Sequence, residues 1–336
     1  MLKVAKKDIK GVVSFPPTPG KPNADRWDCT DSVDYEKTAI LEEKLIQSGV
    51  GVITHCGTTG ENMALLWEEK REFIATAVKA IKGRVPLFAG CTALGTKEVI
   101  RQMRAMKEIG ADGAFVGLPL WQTPTIENSI QWFADLSEAL PDFPIMVYAN
   151  TSFFKSQFPL PLWEGVAKKA PTVIACKGGT GPEFVDKVKA CGHQVLLVPS
   201  MVGSVTARKQ LKEAGMDTSY ITALWTTDMF PEPWVALAEA INRNDEKRIE
   251  EVKADIETTQ RHSTPELSKK YNFAQYNTQV EHHSANASGY LPGGFGPNRP
   301  PYRDIPEEWK AHIWNPERVQ KWQALVKKYT KATAKK

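Results

Sequence analysis

The sequence is poor in cysteine, with five thiols among 336 residues and no Cys-x-x-Cys pair. Such spacing gives no disulfide framework and no zinc-ligand pattern. Long uncharged apolar runs are missing, and so is the apolar core of a signal peptide at the N-terminus. Basic residues are dispersed except in Lys327–Lys336, which we expect to be a frayed end. These absences predict a cytoplasmic protein with no metal and with neither nucleic acid nor membrane as partner.

Short apolar runs alternate with amphipathic helical runs from about residue 10 to residue 245. The runs are apolar throughout, which is typical of parallel strands covered on both faces. Eight such βα units are the number that closes a (β/α)8 TIM barrel. The predicted strands are Gly11–Pro16, Gly51–Gly57, Pro86–Thr92, Gly113–Pro119, Pro144–Asn150, Thr172–Gly178, Gln194–Ser200 and Tyr220–Trp225. The predicted helices are Tyr35–Gln47, Trp67–Ile81, Lys97–Ile109, Ile126–Leu140, Leu162–Lys169, Glu183–Ala190, Ser204–Ala214 and Pro233–Arg243.

A doubly wound open sheet is the competing fold, but it requires a glycine-rich phosphate turn after the first strand. The turn here, Phe15–Gly20, does not fit that pattern. After residue 245 the alternation stops, and we predict a barrel over residues 1–245 with a C-terminal helical appendage over residues 246–336. Within this appendage we expect helices at Glu246–Arg261 and Glu307–Lys328, separated by a stretch rich in Gly, Pro and aromatic residues.

Lys177 ends a short β-branched run and is followed by Gly178-Gly179, which predicts a strand that ends in a tight turn. Removal from water disfavours the charged form of a lysine amine, and a neutral amine is a nucleophile for carbonyl groups. A lysine that extends from a strand end into solvent is the structural alternative.

Other polar residues follow predicted strands, and the C-terminal strand ends of a barrel surround one site. Gly57-Thr58-Thr59-Gly60-Glu61 has the amides and hydroxyls to hold a carboxylate, or it is simply a capped turn. Tyr148 is either a proton relay or a core tyrosine with a satisfied hydroxyl. We interpret His55 as a hydrogen-bonded strand-end residue and His282-His283 as a solvated pair in a polar loop.

In this order and spacing, Gly57–Glu61, Tyr148 and Lys177 resemble the motifs of the dihydrodipicolinate synthase / N-acetylneuraminate lyase superfamily of class I aldolases. The resemblance covers roughly residues 10–305 and implies the (β/α)8 barrel. It also implies a Schiff-base role for Lys177, a proton-relay role for Tyr148, and a grip by Thr58 and Thr59 on a pyruvoyl carboxylate. No cofactor beyond the lysine Schiff base is implied, and the family is commonly tetrameric.

Further segments resemble the hydratase-aldolases of polycyclic aromatic degradation, which cleave benzylidenepyruvates to an aromatic aldehyde and pyruvate. These segments are Gly83–Pro86, Thr92–Leu94, Glu98–Gln102, Tyr148–Asn150, Lys270–Asn272 and Arg299–Tyr302. The resemblance implies a distal pocket lined by Asn150, Trp225 and Asn277. Two departures are visible: the superfamily's Tyr-Asn-Val-Pro becomes Tyr148–Thr151, and Thr59 stands where naphthalene-pathway members tend to have an aromatic residue.

The second departure favours the phenanthrene-pathway substrate trans-2'-carboxybenzalpyruvate over trans-o-hydroxybenzylidenepyruvate. A ring carboxylate needs a donor cluster, which Lys155 or Arg299 can supply unless each is a solvated surface charge. Two other possibilities stay open. One is a different pyruvate aldolase, which acts on sugar acids or dihydrodipicolinate, and the other is a non-catalytic sensor of keto acids.

Overall fold

The computed structural model describes residues 2–178, 181–192, 194–200, 203–218, 223–226, 231–259 and 263–333. Eight strands alternate with helices in these ranges. The strands are β1 (Gly11–Ser14), β2 (Val52–His55), β3 (Leu87–Gly90), β4 (Gly113–Val116), β5 (Ile145–Tyr148), β6 (Val173–Lys177), β7 (Leu196–Val198) and β8 (Ala223–Thr226). The first seven lie within predicted strands, and the predicted start of the eighth, residues 220–222, lies outside the described residues.

The helices of the alternating part agree closely with the sequence pattern, and the first two match it at both ends. They are α1 (Tyr35–Gln47), α2 (Trp67–Ile81), α3 (Thr96–Ile109), α4 (Ile126–Ala139), α5 (Thr151–Phe154), α6 (Leu160–Lys169), α7 (Phe184–Ala190), α8 (Gly203–Glu213) and α9 (Pro231–Asn242). The one-turn helix α5 was not predicted. Among the described residues, no helix is long and apolar enough to cross a membrane.

The strands form one sheet in the order β7-β6-β5-β4-β3-β2-β1-β8. The pairs from β3 to β7 are parallel, and β2 to β5 bury every one of their residues. This burial explains why these strands are apolar throughout rather than alternating. A sequential order with β8 next to β1 is that of a chain that passes once around a barrel, and it excludes the doubly wound alternative, whose strand order reverses.

The ends of the helices have local causes in the sequence. The side chain of Asp34 accepts a hydrogen bond from the Lys37 amide and begins α1, and Thr125 does the same for α4 through Asn128. Gly110 ends α3 with φ 106°, a backbone conformation that glycine adopts without steric cost. These signals hold the connections to the strands at defined lengths.

The C-terminal region is more helical than predicted. It contains α10 (Glu246–Thr258), α11 (Pro265–Tyr271), α12 (Phe273–Ser288), α13 (Glu307–Ile313) and α14 (Pro316–Thr333). No helix was predicted where α11 and α12 lie, and the predicted last helix is two helices, α13 and α14. The expectation of a frayed end was wrong over residues 327–333, because α14 continues to Thr333 and the Tyr329 hydroxyl donates to Asp255 at 2.5 Å. Residues 334–336 lie outside the described residues.

Aromatic residues, which have low helix propensity, form the core of this C-terminal region. Trp309 is fully buried, and its ring lies about 6 Å from three aromatic neighbours on α11 and α12, at centroid distances of 5.9 Å to Tyr271, 6.1 Å to Phe273 and 6.0 Å to Tyr276. Tertiary packing thus explains helices that local propensity does not predict.

The chain divides into two compact units. The first comprises Met1–Val13, Gly51–Thr54 and Val85–Trp225, and it contains most of the sheet. The second comprises Ser14–Val50, His55–Arg84 and Thr226–Lys336. The predicted boundary between residues 245 and 246 stays a prediction.

Candidate active site

Lys177 and Tyr148 are paired in register at the ends of the neighbouring parallel strands β6 and β5. The Lys177 Nζ lies over the Tyr148 ring, 4.8 Å from its centroid. The Lys177 side chain is half-buried, whereas Tyr148 is only 6% exposed. A ring face attracts a cation, so this contact holds the charged form of the lysine amine against Tyr148. The structure therefore brings together the two residues that the sequence proposed for chemistry.

Gly178 fixes the point at which the chain leaves β6. Its φ is +120°, and a Cβ at this position would lie 2.7 Å from the Ala149 oxygen. The Gly178 amide donates to the Val198 oxygen at 3.1 Å. Only glycine fits this close approach, so Lys177 is held as the last residue of its strand. The other half of the predicted turn, Gly179, lies outside the described residues.

The Tyr148 ring is immobilised by aromatic neighbours. Phe115 stacks on it at a centroid distance of 4.8 Å, and Phe154 meets it edge-on at 5.4 Å. Phe154 lies against the backbone of Gly117, where a Cβ would be 1.9 Å from the phenylalanine ring. Such packing holds the hydroxyl at a defined position, as a proton-transfer group requires.

Asn150 links Tyr148 to α5. Its Oδ1 accepts from the amides of Ser152 and Phe153, both at 3.0 Å, and its Nδ2 donates to the Tyr148 hydroxyl oxygen at 3.4 Å. Asparagine is a preferred helix N-cap. The departure from the superfamily motif at Ala149-Asn150 therefore begins a helical turn that supplies Phe154 to the Tyr148 packing. An Asn before Thr151 was the sequence signal that could have revealed α5.

The turn after β2 has left-handed residues at both ends. Cys56 has φ 56° and Glu61 has φ 54°, values that are uncommon outside glycine. The Glu61 amide donates to the Thr58 oxygen at 3.1 Å, and the Asn62 amide donates to the Gly57 oxygen at 3.0 Å. We refer to residues 56–61 as the threonine turn.

The two threonines of this turn have different surroundings. Thr59 is 4% exposed, and its hydroxyl donates to the Phe15 oxygen at 3.1 Å. To donate to a ligand, this hydroxyl has to leave Phe15. The Thr58 oxygen accepts from the Thr278 hydroxyl at 3.1 Å. The predicted pocket residue Asn277 directly precedes Thr278 on α12, so it is adjacent in the chain to a residue that contacts the threonine turn.

Behind the threonine turn lies a buried charged cluster that the sequence reasoning missed. Arg299, with 1% of its surface exposed, forms an ion pair with the buried Glu61. The His282 Nδ1 lies 3.7 Å from Glu61 Oε1. Burial alone would raise the pKa of Glu61, but His282 and Arg299 outweigh it and the pKa is lowered. Arg299 is therefore neither a solvated charge nor a spare cation for a substrate.

The predicted solvated histidine pair was also wrong, because both residues lie on α12. His282 is 0% exposed, with its Nε2 3.0 Å from the Gly296 oxygen. His283 has a lowered pKa because it is largely buried, although Asp304 at 3.3 Å opposes the shift. His55 is confirmed as a hydrogen-bonded residue, with its Nε2 2.6 Å from Glu42 Oε1.

Three further predictions concern the rest of the site. The side chain of Trp225 lies outside the described residues, although its backbone belongs to β8. Lys155 is exposed just after α5 and has φ 49°. Over the described part of the chain, no cluster of three His, Cys, Asp or Glu side chains could hold a metal ion.

Comparisons with known proteins identify the family of this chain. Residues 23–256 match the Dihydrodipicolinate synthetase family. Trans-O-hydroxybenzylidenepyruvate hydratase-aldolase of Pseudomonas aeruginosa is 33% identical over 332 residues, which cover 96% of this chain and 95% of that protein. Trans-2'-carboxybenzalpyruvate hydratase-aldolase of Nocardioides sp. (strain KP7) is 29% identical over 340 residues, 98% of each.

Solved structures give the same result for the fold. PhdJ bound to a substrate intermediate has a TM-score of 0.89 and 30% identity, covering 98% of this chain and 100% of that one. Dihydrodipicolinate synthase from Aquifex aeolicus has a TM-score of 0.74 at 22% identity, and the match covers 94% of this chain and 98% of that one. At this identity the likeness supports the fold alone. The predicted (β/α)8 barrel with C-terminal helices is confirmed.

This fold and these relatives define an enzyme of the aldolase class, a carbon–carbon lyase, rather than a keto-acid sensor. The chain belongs to the dihydrodipicolinate synthetase family, and its similarity along the whole length is to the hydratase-aldolases of that family.

Proposed function

We propose that this enzyme uses Lys177 as a Schiff-base nucleophile to hydrate and cleave an ortho-substituted trans-benzylidenepyruvate. The products are the aryl aldehyde and pyruvate, and no diffusible cofactor takes part. The observation that carries the proposal is the register pairing of Lys177 with Tyr148, with the amine 4.8 Å from the ring centroid. A carbonyl carbon attacked by this amine would therefore lie next to the side chain of Tyr148.

One lysine serves both halves of the reaction. The Lys177 amine attacks the C2 ketone and releases water, which leaves an iminium conjugated with the C3–C4 double bond. Water then adds its oxygen to C4 and a proton goes to C3. Next the C4 hydroxyl loses its proton, the C3–C4 bond breaks to release the aldehyde, and its electron pair forms an enamine. Protonation at C3 and hydrolysis by water release pyruvate and regenerate the amine.

Tyr148 is the proton relay in this scheme. The Asn150 amide donates to the Tyr148 hydroxyl oxygen, and this contact helps to position the hydroxyl. A positioned acid–base group of this kind contributes typically about 10²–10⁴-fold in rate. Asn150 or Asn277 places the water, and Trp225 forms a wall for the aryl ring.

Thr58, Thr59 and the amides of the threonine turn are proposed to hold the pyruvoyl carboxylate. Support comes from the backbone of this turn, which contains Gly57 and Gly60 and is flanked by two residues with φ > 0, Cys56 and Glu61. Successive amides of such a turn form an anion-binding concavity. Holding the carboxylate orients C2 for attack by the amine.

The ring substituent predicted from the sequence is a carboxylate, which makes trans-2'-carboxybenzalpyruvate the substrate and 2-carboxybenzaldehyde the product. A specific observation favours the hydroxy substrate and salicylaldehyde instead. Arg299 is engaged with Glu61, and the relative named for the hydroxy substrate is 33% identical against 29% for the other. Values of kcat/KM for both substrates, measured with the wild type and with Lys155→Met, separate the two.

The nucleophile is tested by trapping. Pyruvate with borohydride should add a reduced adduct to Lys177, located by peptide mass spectrometry, and Lys177→Arg should abolish the adduct and both reactions because arginine stays protonated. Lys187→Arg is the matched control, since Lys187 is another partly buried lysine and pairs with Glu183. An adduct on a different lysine would refute the assignment.

Two further properties are proposed, of which the first rests on the resemblance. We propose a homotetramer, which light scattering coupled to gel filtration tests directly. We also propose a cytoplasmic location, with support from the five cysteines, which are all free thiols.

A further inference from the structure

The threonine turn stores backbone strain at the place where the carboxylate is proposed to bind. Cys56 and Glu61 have φ values of 56° and 54°, each of which costs on the order of 1 kcal/mol in a residue other than glycine. A Cβ on Gly60 would lie 3.0 Å from the Cys56 amide nitrogen, so the turn is also tightly closed. Strained turns of this kind persist only when their surroundings hold them.

Arg299 is the residue that holds this turn from behind. Its backbone amide donates to Glu61 Oε1 at 3.2 Å, and its Nη1 donates to Glu61 Oε2. The same guanidinium donates to Thr18 and Pro19 oxygens at 3.2 Å each, and to the Ser32 oxygen and hydroxyl at 3.0 and 2.7 Å. A guanidinium has five N–H donors, and all five are used in these bonds.

The segment that Arg299 grips is itself bonded to the threonine turn. The Thr18 hydroxyl donates to the Gly60 oxygen at 2.9 Å. Arg299 therefore binds the turn directly through Glu61 and indirectly through Thr18. It connects residues 18–32 and 56–61 at one buried point.

The charges of this cluster depend on Arg299. Glu61 is almost fully buried, and Glu69 accepts from the amide and the hydroxyl of Ser32, both at 2.6 Å. His282 is the other basic group against Glu61. An ionised carboxylate without a partner is costly inside a protein, so Glu61 would move or take up a proton if the guanidinium were removed.

We propose that Arg299 is a positioning residue, which holds the threonine turn in the geometry that binds the pyruvoyl carboxylate and contacts no substrate itself. This inference rests on the proposed function. It replaces the ring-carboxylate role that the sequence suggested for Arg299, because every donor of its side chain is already used. Loss of Arg299 should weaken substrate binding without removing the reactivity of Lys177.

The test uses Arg299→Lys in the full-length enzyme, with Arg318→Met as the control. Arg318 is another buried arginine, and its Nη1 donates to the Ile313 oxygen, remote in sequence from the threonine turn. The measurement is the pyruvate concentration that half-saturates borohydride trapping, together with KM and kcat for both benzylidenepyruvates. Melting temperatures of both variants report general destabilisation.

We expect Arg299→Lys to raise KM and the pyruvate concentration that half-saturates trapping by about tenfold or more, because losing a hydrogen bond to a charged group has an effect of this size. Trapping at saturating pyruvate should stay complete, and the rise should be equal for the carboxy and hydroxy substrates. Arg318→Met should lower the melting temperature and leave half-saturation unchanged. An unchanged half-saturation in Arg299→Lys, an equal rise in Arg318→Met, or a rise for the carboxy substrate alone would overturn the proposal.

Thr18→Val gives a second test if Arg299→Lys does not fold. It removes only the hydroxyl bonded to the Gly60 oxygen, and we expect a severalfold rise in half-saturation; no rise would count against the proposal. Failure of the proposed function would look different, because the wild type itself would then give no adduct on Lys177.

Discussion

Replacing Tyr148 by phenylalanine should slow catalysis strongly while leaving the fold nearly as stable as before. The ring contacts with Phe115 and Phe154 stay, and a phenylalanine face still attracts the Lys177 amine. Only the hydroxyl is lost. Its described bond from Asn150 is 3.4 Å long, longer than the usual range for N–H···O bonds. The stability loss should be about 0.5–1.5 kcal/mol, the net contribution of a typical hydrogen bond.

The rate should fall by about 10²–10⁴, the contribution of a positioned proton-transfer group, which corresponds to about 3–5 kcal/mol of barrier. Stopped-flow absorbance of the benzylidenepyruvate chromophore measures kcat, and urea unfolding measures stability. Borohydride trapping should still label Lys177, because the amine keeps its position. Tyr148→Phe should thus change the activation free energy of the reaction much more than the free energy of unfolding.

Tyr290→Phe is the matched control for this prediction. Tyr290 is also 6% exposed, and its hydroxyl lies 3.3 Å from the Ser48 hydroxyl. It should lose a similar small amount of stability and keep the wild-type kcat. If Tyr148→Phe retained full kcat, or if both variants slowed equally, Tyr148 would be a core tyrosine and the relay would have to be another group.

Two other predictions concern the backbone and the buried charges. Gly178→Ala should reduce both borohydride trapping and substrate cleavage, and it should lower the free energy of unfolding in urea by on the order of 1–3 kcal/mol. The reason is that φ is +120° and the new Cβ would lie 2.7 Å from the Ala149 oxygen. Wild-type behaviour of this variant would show that the turn relaxes freely. The second concerns Glu61, whose folded pKa is lowered by His282 and Arg299 against the effect of burial. Its contribution to stability is present above the ordinary carboxyl pKa and is lost as pH falls through the folded value. Unfolding free energy between pH 7 and pH 3 should therefore fall less steeply in Glu61→Gln than in the wild type, and parallel curves would contradict this.

The residues predicted best are those whose signal is local. Lys177 and Tyr148 end apolar runs, and the ends of parallel strands meet at one edge of a sheet, so sequence order alone predicts that they converge. The charged cluster behind the threonine turn has no such signal. Arg299 and Glu61 are 238 residues apart, and no periodicity in either segment shows that a buried arginine will meet that carboxylate. The helices α11 and α12 were missed because the packing around Trp309, rather than helix propensity, stabilises them.

The separation of Arg299 from Glu61 has a consequence for the order of events during synthesis. A ribosome delivers the threonine turn early and its arginine only after another 238 residues. The carboxylate of Glu61 thus has no guanidinium partner until most of the chain has emerged. A fragment that ends near residue 245 contains Lys177, Tyr148 and the threonine turn, but it lacks Arg299, which holds that turn. We expect the nascent enzyme to gain its affinity for pyruvate only after residue 299 has emerged from the ribosome.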